Sequence, residues 1–270
     1  MCADKLTDPE YLRSQQYRTN DNLETRIALH ERFSVNPYTW RRWMFDQLDF
    51  PAGARILELG CGPGDLWLEN AEGVQGDWRL SLTDLSHGMV AEAQRKLKGM
   101  EFTFGTANAL AIPFPDASFE AVLANHMLYH LPDRAGGLAE IRRVLKPGGW
   151  LYATTVGHQH MAGLADLVNA FDPAIDFQRS EFSFSLEDGH EQLAEWFDNV
   201  ELRRYHNALE ITEAEPLVAY LRSMASLPQE RLPESRLPEL AEFLGNILDE
   251  QGAIRIEKAE GMFLAQKPGI

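Results

Sequence analysis

Short apolar runs and segments of helical period alternate through the middle of this chain. Residues 54–60 (ARILELG) form an apolar, β-branched run that ends on glycine. WRLSLTD (78–84), EFTFGTA (101–107), FEAVLAN (119–125) and WLYATTV (150–156) have the same character. Such runs, bounded by turn formers, predict buried strands. Between them, 65–72, 86–98 and 134–145 read as helices, the last with Leu138, Ile141, Val144 and Leu145 on one face. Lys146-Pro147-Gly148-Gly149 predicts its stop. Strands alternating with helices in this way predict right-handed βαβ units and a parallel sheet.

Beyond Val156 the alternation loosens. Helical stripes recur at 160–171, 186–197, 213–225 and about 238–250, with strand-like VELRRYHNALEI (200–211) among them. AIRIEKAEGMFLAQK (253–267) reads as a bent strand or a hairpin. Ahead of the first strand, Leu23, Ile27, His30 and Phe33 share a helical face, and Trp40, Trp43, Met44, Phe45 and Leu48 form a second apolar cluster. So many large apolar groups predict a segment packed on the domain, over the sheet edge or the ligand crevice.

Length and composition narrow the class. At 270 residues, 44% hydrophobic and 24% charged, the chain suits one elaborated globular domain. No apolar run reaches the roughly 18 residues of a membrane span, and MCADKLTDPEYL does not read as a signal peptide. Two cysteines, Cys2 and Cys61, make no disulfide framework, so a cytoplasmic protein is expected. A formal net charge of −16 argues against nucleic acid as a partner.

The segment ILELGCGPG (56–64) runs a buried strand into three glycines with a helix just after. Glycines there let the backbone turn sharply and approach a ligand closely. Asp84 ends the second strand, placed to accept hydrogen bonds from a ribose diol. That suits any adenosine cofactor, a nicotinamide dinucleotide included. Glu58 favours a ligand with an ammonium group over a pyrophosphate, which prefers a helix N-terminus free of a competing carboxylate. The spacing is GxGxG, not the dinucleotide GxGxxG.

Four stretches in order resemble the class I S-adenosylmethionine (SAM)-dependent methyltransferases, in the branch of the ubiquinone/menaquinone C-methyltransferases. They are ILELGCGPG, LTDLS with Met89 following, ANALAIPFPDASFEAVLANHMLYHLPD, and EIRRVLKPGGWLYATT, covering about 54–156. The N-terminal segment NLETRIALHERFSVNPYTWRRWMFDQL is also similar to bacterial members. The resemblance implies an α/β fold: a Rossmann-like seven-stranded sheet with helices on both faces. Residues 51–270 would form this domain, 1–50 a helical segment over the crevice, and insertions at about 157–185 and 212–251 a helical cap. It implies SAM as cofactor, S-adenosylhomocysteine as product, and a small-molecule acceptor. Gly60, Cys61 and Gly62 would pass under methionine and ribose, with Glu58 near the amino group. Asp84 would bind the ribose, and Leu85, Met89, Ala107, Asn108 and Ala109 would surround the adenine. Asn125 would meet the methionine end. Many relatives have an aspartate directly after the glycine of strand three; here Thr106 follows Gly105, leaving Asn108 to serve the adenine amino group.

The acceptor side is less marked. Methyl transfer from a sulfonium is an in-line displacement that needs alignment, and a base only for acidic acceptors. His126, just after strand four, and Tyr129 are the catalytic candidates, while His130 reads as structural. Tyr17, Arg26 and His30 are candidates for contact with the acceptor or the cofactor carboxylate. His126 and His130 stand four apart, a zinc-helix spacing, but at a strand end that spacing loses its meaning, and no metal is expected. His158 and His160 carry no matching ligand set either. Two other readings use the same loops: another SAM chemistry, such as cyclisation of its aminobutyryl chain, and a non-catalytic SAM-binding domain.

Overall fold

The five apolar runs become β1 (Arg55–Leu59), β2 (Arg79–Asp84), β3 (Thr103–Thr106), β4 (Phe119–Asn125) and β5 (Leu145–Val156), followed by β6 (Asp198–Ile211) and β7 (Ile254–Gln266). The structure is a computed structural model and describes residues 7–12, 21–177, 182–224, 227 and 230–269. Its seven strands form one sheet in the order β3-β2-β1-β4-β5-β7-β6. The first five are parallel; β7 lies antiparallel between β5 and β6. Strand order reverses between β1 and β4, the place where open α/β sheets bind ligands beyond their carboxyl ends.

Side chains alternate across the sheet as the two-residue period demands. Leu57, Leu59, Val122, Ala124, Leu151 and Phe263 share one core with α5 (Arg134–Val144) and α7 (Gly189–Ala194). Ile56, Leu80, Leu82, Leu123, Tyr152 and Met262 face the other way, toward α2 (Trp40–Asp46), α3 (Asp65–Glu69) and α4 (His87–Lys96). A third core joins α1 (Asp21–Phe33), α6 (Gly163–Phe171), α8 (Ala214–Ser223) and α9 (Leu237–Gln251) to the ends of β6 and β7. Helix α1 is fastened to α8 by an Arg26 Nη1 hydrogen bond to the Ser223 carbonyl (3.1 Å), and Ser34 bridges Leu209 of β6. No helix among the described residues is long and apolar enough to cross a membrane.

Two local expectations change. Lys146–Gly149 does not stand between helix and strand: α5 ends at Val144 and β5 begins at Leu145, with Lys-Pro-Gly-Gly inside it. The pairing with β4 slips between Phe119 and Ala121. Gly149 lies so near the Glu120 carbonyl that a Cβ would stand 2.9 Å from its oxygen. Residues 254–266 are one strand, not a hairpin, because β7 has neighbours on both edges.

Trp67 of α3 is fully buried, edge-on to Phe45 and Phe102, and its indole N–H donates to Glu58 Oε2 at 2.5 Å. Trp67→Ala is expected to cost about 3–5 kcal/mol, a large-to-small core loss. Trp67→Phe retains most of the bulk and loses the donor, and is expected to cost about 1–3 kcal/mol. Urea unfolding of the three proteins checks both values.

Candidate active site

The chain leaves β1 through Gly60-Cys61-Gly62-Pro63-Gly64 and enters α3 at Asp65. Gly60, Gly62 and Gly64 have φ of +70°, +53° and +81°, the left-handed region that favours glycine. A Cβ on Gly62 would meet nothing within 4 Å, so the loop offers an open face there. The Cys61 amide donates to the Thr83 carbonyl (2.9 Å). Asp84 Oδ2 accepts from the Gly62 amide (3.0 Å) and Oδ1 from the Ser86 amide (2.8 Å). Asp84 thereby fixes the loop against the end of β2. Burial raises its pKa, and the amide hydrogen bonds oppose the rise.

Glu58 and Cys61 differ from expectation, since both lie behind the loop and line neither cavity described below. Glu58 is buried, and its carboxylate accepts from Trp67 Nε1 (2.5 Å) and Asn125 Nδ2 (2.9 Å). Burial pushes its pKa up to about 6, against the pull of those two donors. Its side chain falls on the Ile56 face of the strand, where Trp67 waits, so it acts on the cavity through the Asn125 amide. The Cys61 thiol is buried as well, and burial, then the Glu58 and Asp84 charges, raise its pKa well above the ordinary value. That is a packed thiol, not an activated nucleophile.

Two cavities open at the carboxyl edge of the sheet. The smaller, about 200 Å³, is lined by Gly60, Gly62, Asp84, Leu85, Met89, Ala107, Asn108, Ala109 and Asn125. These are the residues proposed from sequence for the cofactor, Glu58 and Cys61 apart. Asn108 Oδ1, the oxygen expected to meet the adenine amino group, accepts from the Leu110 amide (3.0 Å), and the NH2 group beside it is a donor only. The larger cavity, about 760 Å³, lies between α1, α6, α8 and the β6–β7 ends. Arg26, His30 and Tyr129 line it. Leu23, His126 and His130 line both cavities, so the two adjoin there. Tyr17 falls outside the described residues.

His126 has a left-handed backbone, φ +49°, directly after β4. Its amide donates to the Thr154 carbonyl (3.2 Å) and hydroxyl (3.0 Å), which hold the turn. A non-glycine residue kept in that region stores about 1–3 kcal/mol and commonly marks a functional position. The turn sets the imidazole 5.5 Å from the Trp40 ring. Burial lowers the His126 pKa to about 4, while the Glu260 charge works to raise it. His130 ends a short 3₁₀ turn, 128–130, and its ring packs on Tyr129, 4.6 Å between centroids. It lines both cavities.

Several cavity residues carried little signal in the sequence. Trp40 reads as core, and His160 as half of an uninformative His-Gln-His. Lys258 and Glu260 of β7 are buried in the floor, Nζ and Oε2 2.9 Å apart. A charge pair within an apolar strand, IEKAEGM, is the one hint the sequence held. Among the described residues no three metal-ligating side chains converge.

Residues 56–149 match a family described as methyltransferase domain. A demethylmenaquinone methyltransferase of Symbiobacterium thermophilum is 35% identical over 145 residues, 52% of this chain and 57% of that protein. A ubiquinone/menaquinone biosynthesis C-methyltransferase of Geobacter sulfurreducens is 37% identical over 114 residues, 41% of this chain and 44% of that protein. The chain thus spans about half the length of these curated relatives. Among solved structures, phosphoethanolamine N-methyltransferase 2 of Haemonchus contortus, in complex with SAM, superposes with a TM-score of 0.58 at 20% identity, covering 99% of this chain and 60% of that one. The [4+2]-cyclase SpnF does so at 0.52 and 18%, covering 85% and 81%. Sheet order and glycine loop agree with these matches: residues 56–149 match the methyltransferase-domain family, and the chain has the fold of these solved structures.

Proposed function

We propose that this protein transfers the methyl group of SAM to a small-molecule acceptor. The observation that carries the reading is the pair of adjoining cavities, a glycine-loop cavity and a larger chamber, that meet at His126 and His130. The residues present fit the cofactor. Gly60 and Gly62 offer backbone without side chains, Asp84 offers a carboxylate, Leu85 and Met89 an apolar wall, and Asn125 an amide. Bound there, SAM supplies an electrophilic methyl group already activated by its sulfonium. The names of the sequence relatives, demethylmenaquinone and ubiquinone/menaquinone methyltransferases, support a small organic acceptor. A cytoplasmic setting, with nucleic acid and membrane both excluded as partners, belongs to this reading and rests on composition and charge.

The chain's own residues have three tasks. The N-terminal helix α1 and the cap close the chamber and exclude water, which strengthens every polar contact within. Trp40, Tyr129 and the chamber walls orient the acceptor for in-line attack. His126, uncharged at neutral pH, takes the proton of an acidic acceptor, and Glu260 stabilises the imidazolium that results. Arg26 and His30, farther along the chamber, hold the acceptor rather than the cofactor.

Gly62→Ala adds a methyl to the open face of the loop and strains a positive φ. It is expected to weaken S-adenosylhomocysteine binding by roughly tenfold or more and to cost about 1 kcal/mol of stability. Calorimetry with the nucleoside and urea unfolding measure the two effects; unchanged affinity would remove the loop from the cofactor site.

His126→Asn tests the base without disturbing the turn, because asparagine tolerates the left-handed region. Turnover is expected to fall by roughly 100-fold or more with SAM affinity little changed. An unchanged rate removes His126 from the chemistry. The sign of the pH effect follows from the lowered pKa. An ordinary histidine is about nine-tenths protonated at pH 5.5 and would have lost most of its power as a base. With its pKa near 4, His126 stays mostly neutral there, so the imidazole itself is expected to impose no loss of turnover from pH 7 to 5.5, and any decline in that window follows Glu58, whose pKa is about 6. A decline centred near 6.5 would contradict it.

A further inference from the structure

The floor of the larger cavity holds a pair of buried charges. Lys258 and Glu260 stand two residues apart on β7, on the same face of the strand, with side chains 4% and 8% exposed. Removing two ions from water costs several kcal/mol each unless hydrogen bonds compensate. Here the compensation is incomplete. Their 2.9 Å contact lacks hydrogen-bond geometry, Glu260 Oε2 has no donor, and Lys258 Nζ makes no hydrogen bond among the described residues. An ammonium carries three donors. A buried one whose contact is a single carboxylate oxygen at 2.9 Å, out of hydrogen-bond geometry, has donors left for oxygen atoms that come from elsewhere.

The other charges facing the floor fix the sign of what it takes. Arg26 of α1, which also donates to the Ser223 carbonyl, lines the same space, so among the described residues the charges inside the chamber are two cations and the carboxylate of Glu260. Tyr220 of α8 and the imidazoles of His30, His126 and His160 belong to the polar lining, with Tyr129, His130, His158 and Asn207, and burial, then neighbouring cations such as Lys258, keep His30 and His160 uncharged. Glu31, Arg41 and Glu69 are at the rim, where the arginine pairs with both carboxylates. The chain's charge of −16 does not decide the matter, since charges beyond a Debye length of about 8 Å are screened while those in the floor are not. Apolar side chains, Ile27, Met161, Leu164 and Phe177 among them, supply the remaining walls.

We propose that the acceptor is a small organic acid: an apolar or aromatic body against the α1 and α6 walls, with an anionic oxygen group received by Lys258 and Arg26. This deepens the methyltransferase reading and rests on it. The shared chemistry is an oxygen anion, which a carboxylate or an ionised phenol or enol can each provide.

Calorimetry on the protein saturated with S-adenosylhomocysteine tests it, with 3-phenylpropanoate, 3-phenylpropanamide, 3-phenylpropylamine and ionised 4-nitrophenol as probes. At least one of the two anions is expected to bind roughly 30-fold or more tightly than the amide and the amine, the scale of a buried charge contact. Lys258→Met is expected to erase that preference and leave S-adenosylhomocysteine affinity as it was, and Lys258→Arg to keep much of it. The wild-type comparison of anion and amide needs no variant and stands if Lys258→Met does not fold. The stronger of the two anions identifies the source. Amide or amine binding as tight as the anions, no anion binding to the loaded protein, or an anion preference that survives in Lys258→Met overturns the proposal. A protein that fails to bind S-adenosylhomocysteine at all overturns the methyltransferase reading as well, so the two failures are told apart by the first titration.

Discussion

The carboxylate of Glu58 is the tie on which the site depends. It sits on the β1 strand, takes the indole N–H of Trp67 from α3 and the amide of Asn125 from β4, and Asn125 Oδ1 accepts in turn from the Thr154 hydroxyl of β5. Three adjacent strands and the helix after the glycine loop are thus joined through one buried acid. Its pKa near 6, held down by only two donors, marks it as a group under tension between burial and hydrogen bonding. An aliphatic residue there would pack, but would leave the Trp67 N–H and the Asn125 amide without their acceptor, and the Asn125 amide is what lines the cofactor cavity.

The same tie explains why His126 stands where it does. Thr154, whose hydroxyl reaches Asn125, also receives the His126 amide through that hydroxyl and its carbonyl. The chain is therefore clamped on both sides of the Asn125–His126 peptide, and the left-handed turn follows directly. Strand order reverses between β1 and β4, so this turn projects over the gap the reversal leaves. Cofactor loop and candidate base are set by one network, and a change at Glu58 is felt at both.

Much of this was legible from residue patterns. The five parallel strands, their helices and the glycine loop follow from periodicity and turn chemistry, and the four ordered motifs carried the class. Placement of Glu58 was not legible. An acid beside a glycine loop reads as a ligand contact until the neighbouring helix supplies a tryptophan at the right height, and no spacing rule shows that. The floor of the chamber was hidden for a related reason. His30, His160, Tyr220 and Lys258 come from four elements far apart in sequence, and cross-chain convergence leaves no local signature. Lys146–Gly149 was legible as the stop of the helix, which ends at Val144, but not as part of β5, which begins at Leu145 and carries Pro-Gly-Gly within it.

The two halves of the site obey different rules. Around the glycine loop the buried polar groups are partnered within the protein: Asp84 with two amides, Glu58 with two side chains, the Cys61 amide with β2. That half is finished before any ligand arrives, which suits a cofactor common to many enzymes. In the chamber, Glu260, His30 and His160 retain buried polar atoms that have no hydrogen-bond partner among the described residues. Unmet hydrogen-bonding capacity costs stability, and it also discriminates most strongly against ligands that do not meet it. A scaffold shared across a family can keep the first half constant and vary the second.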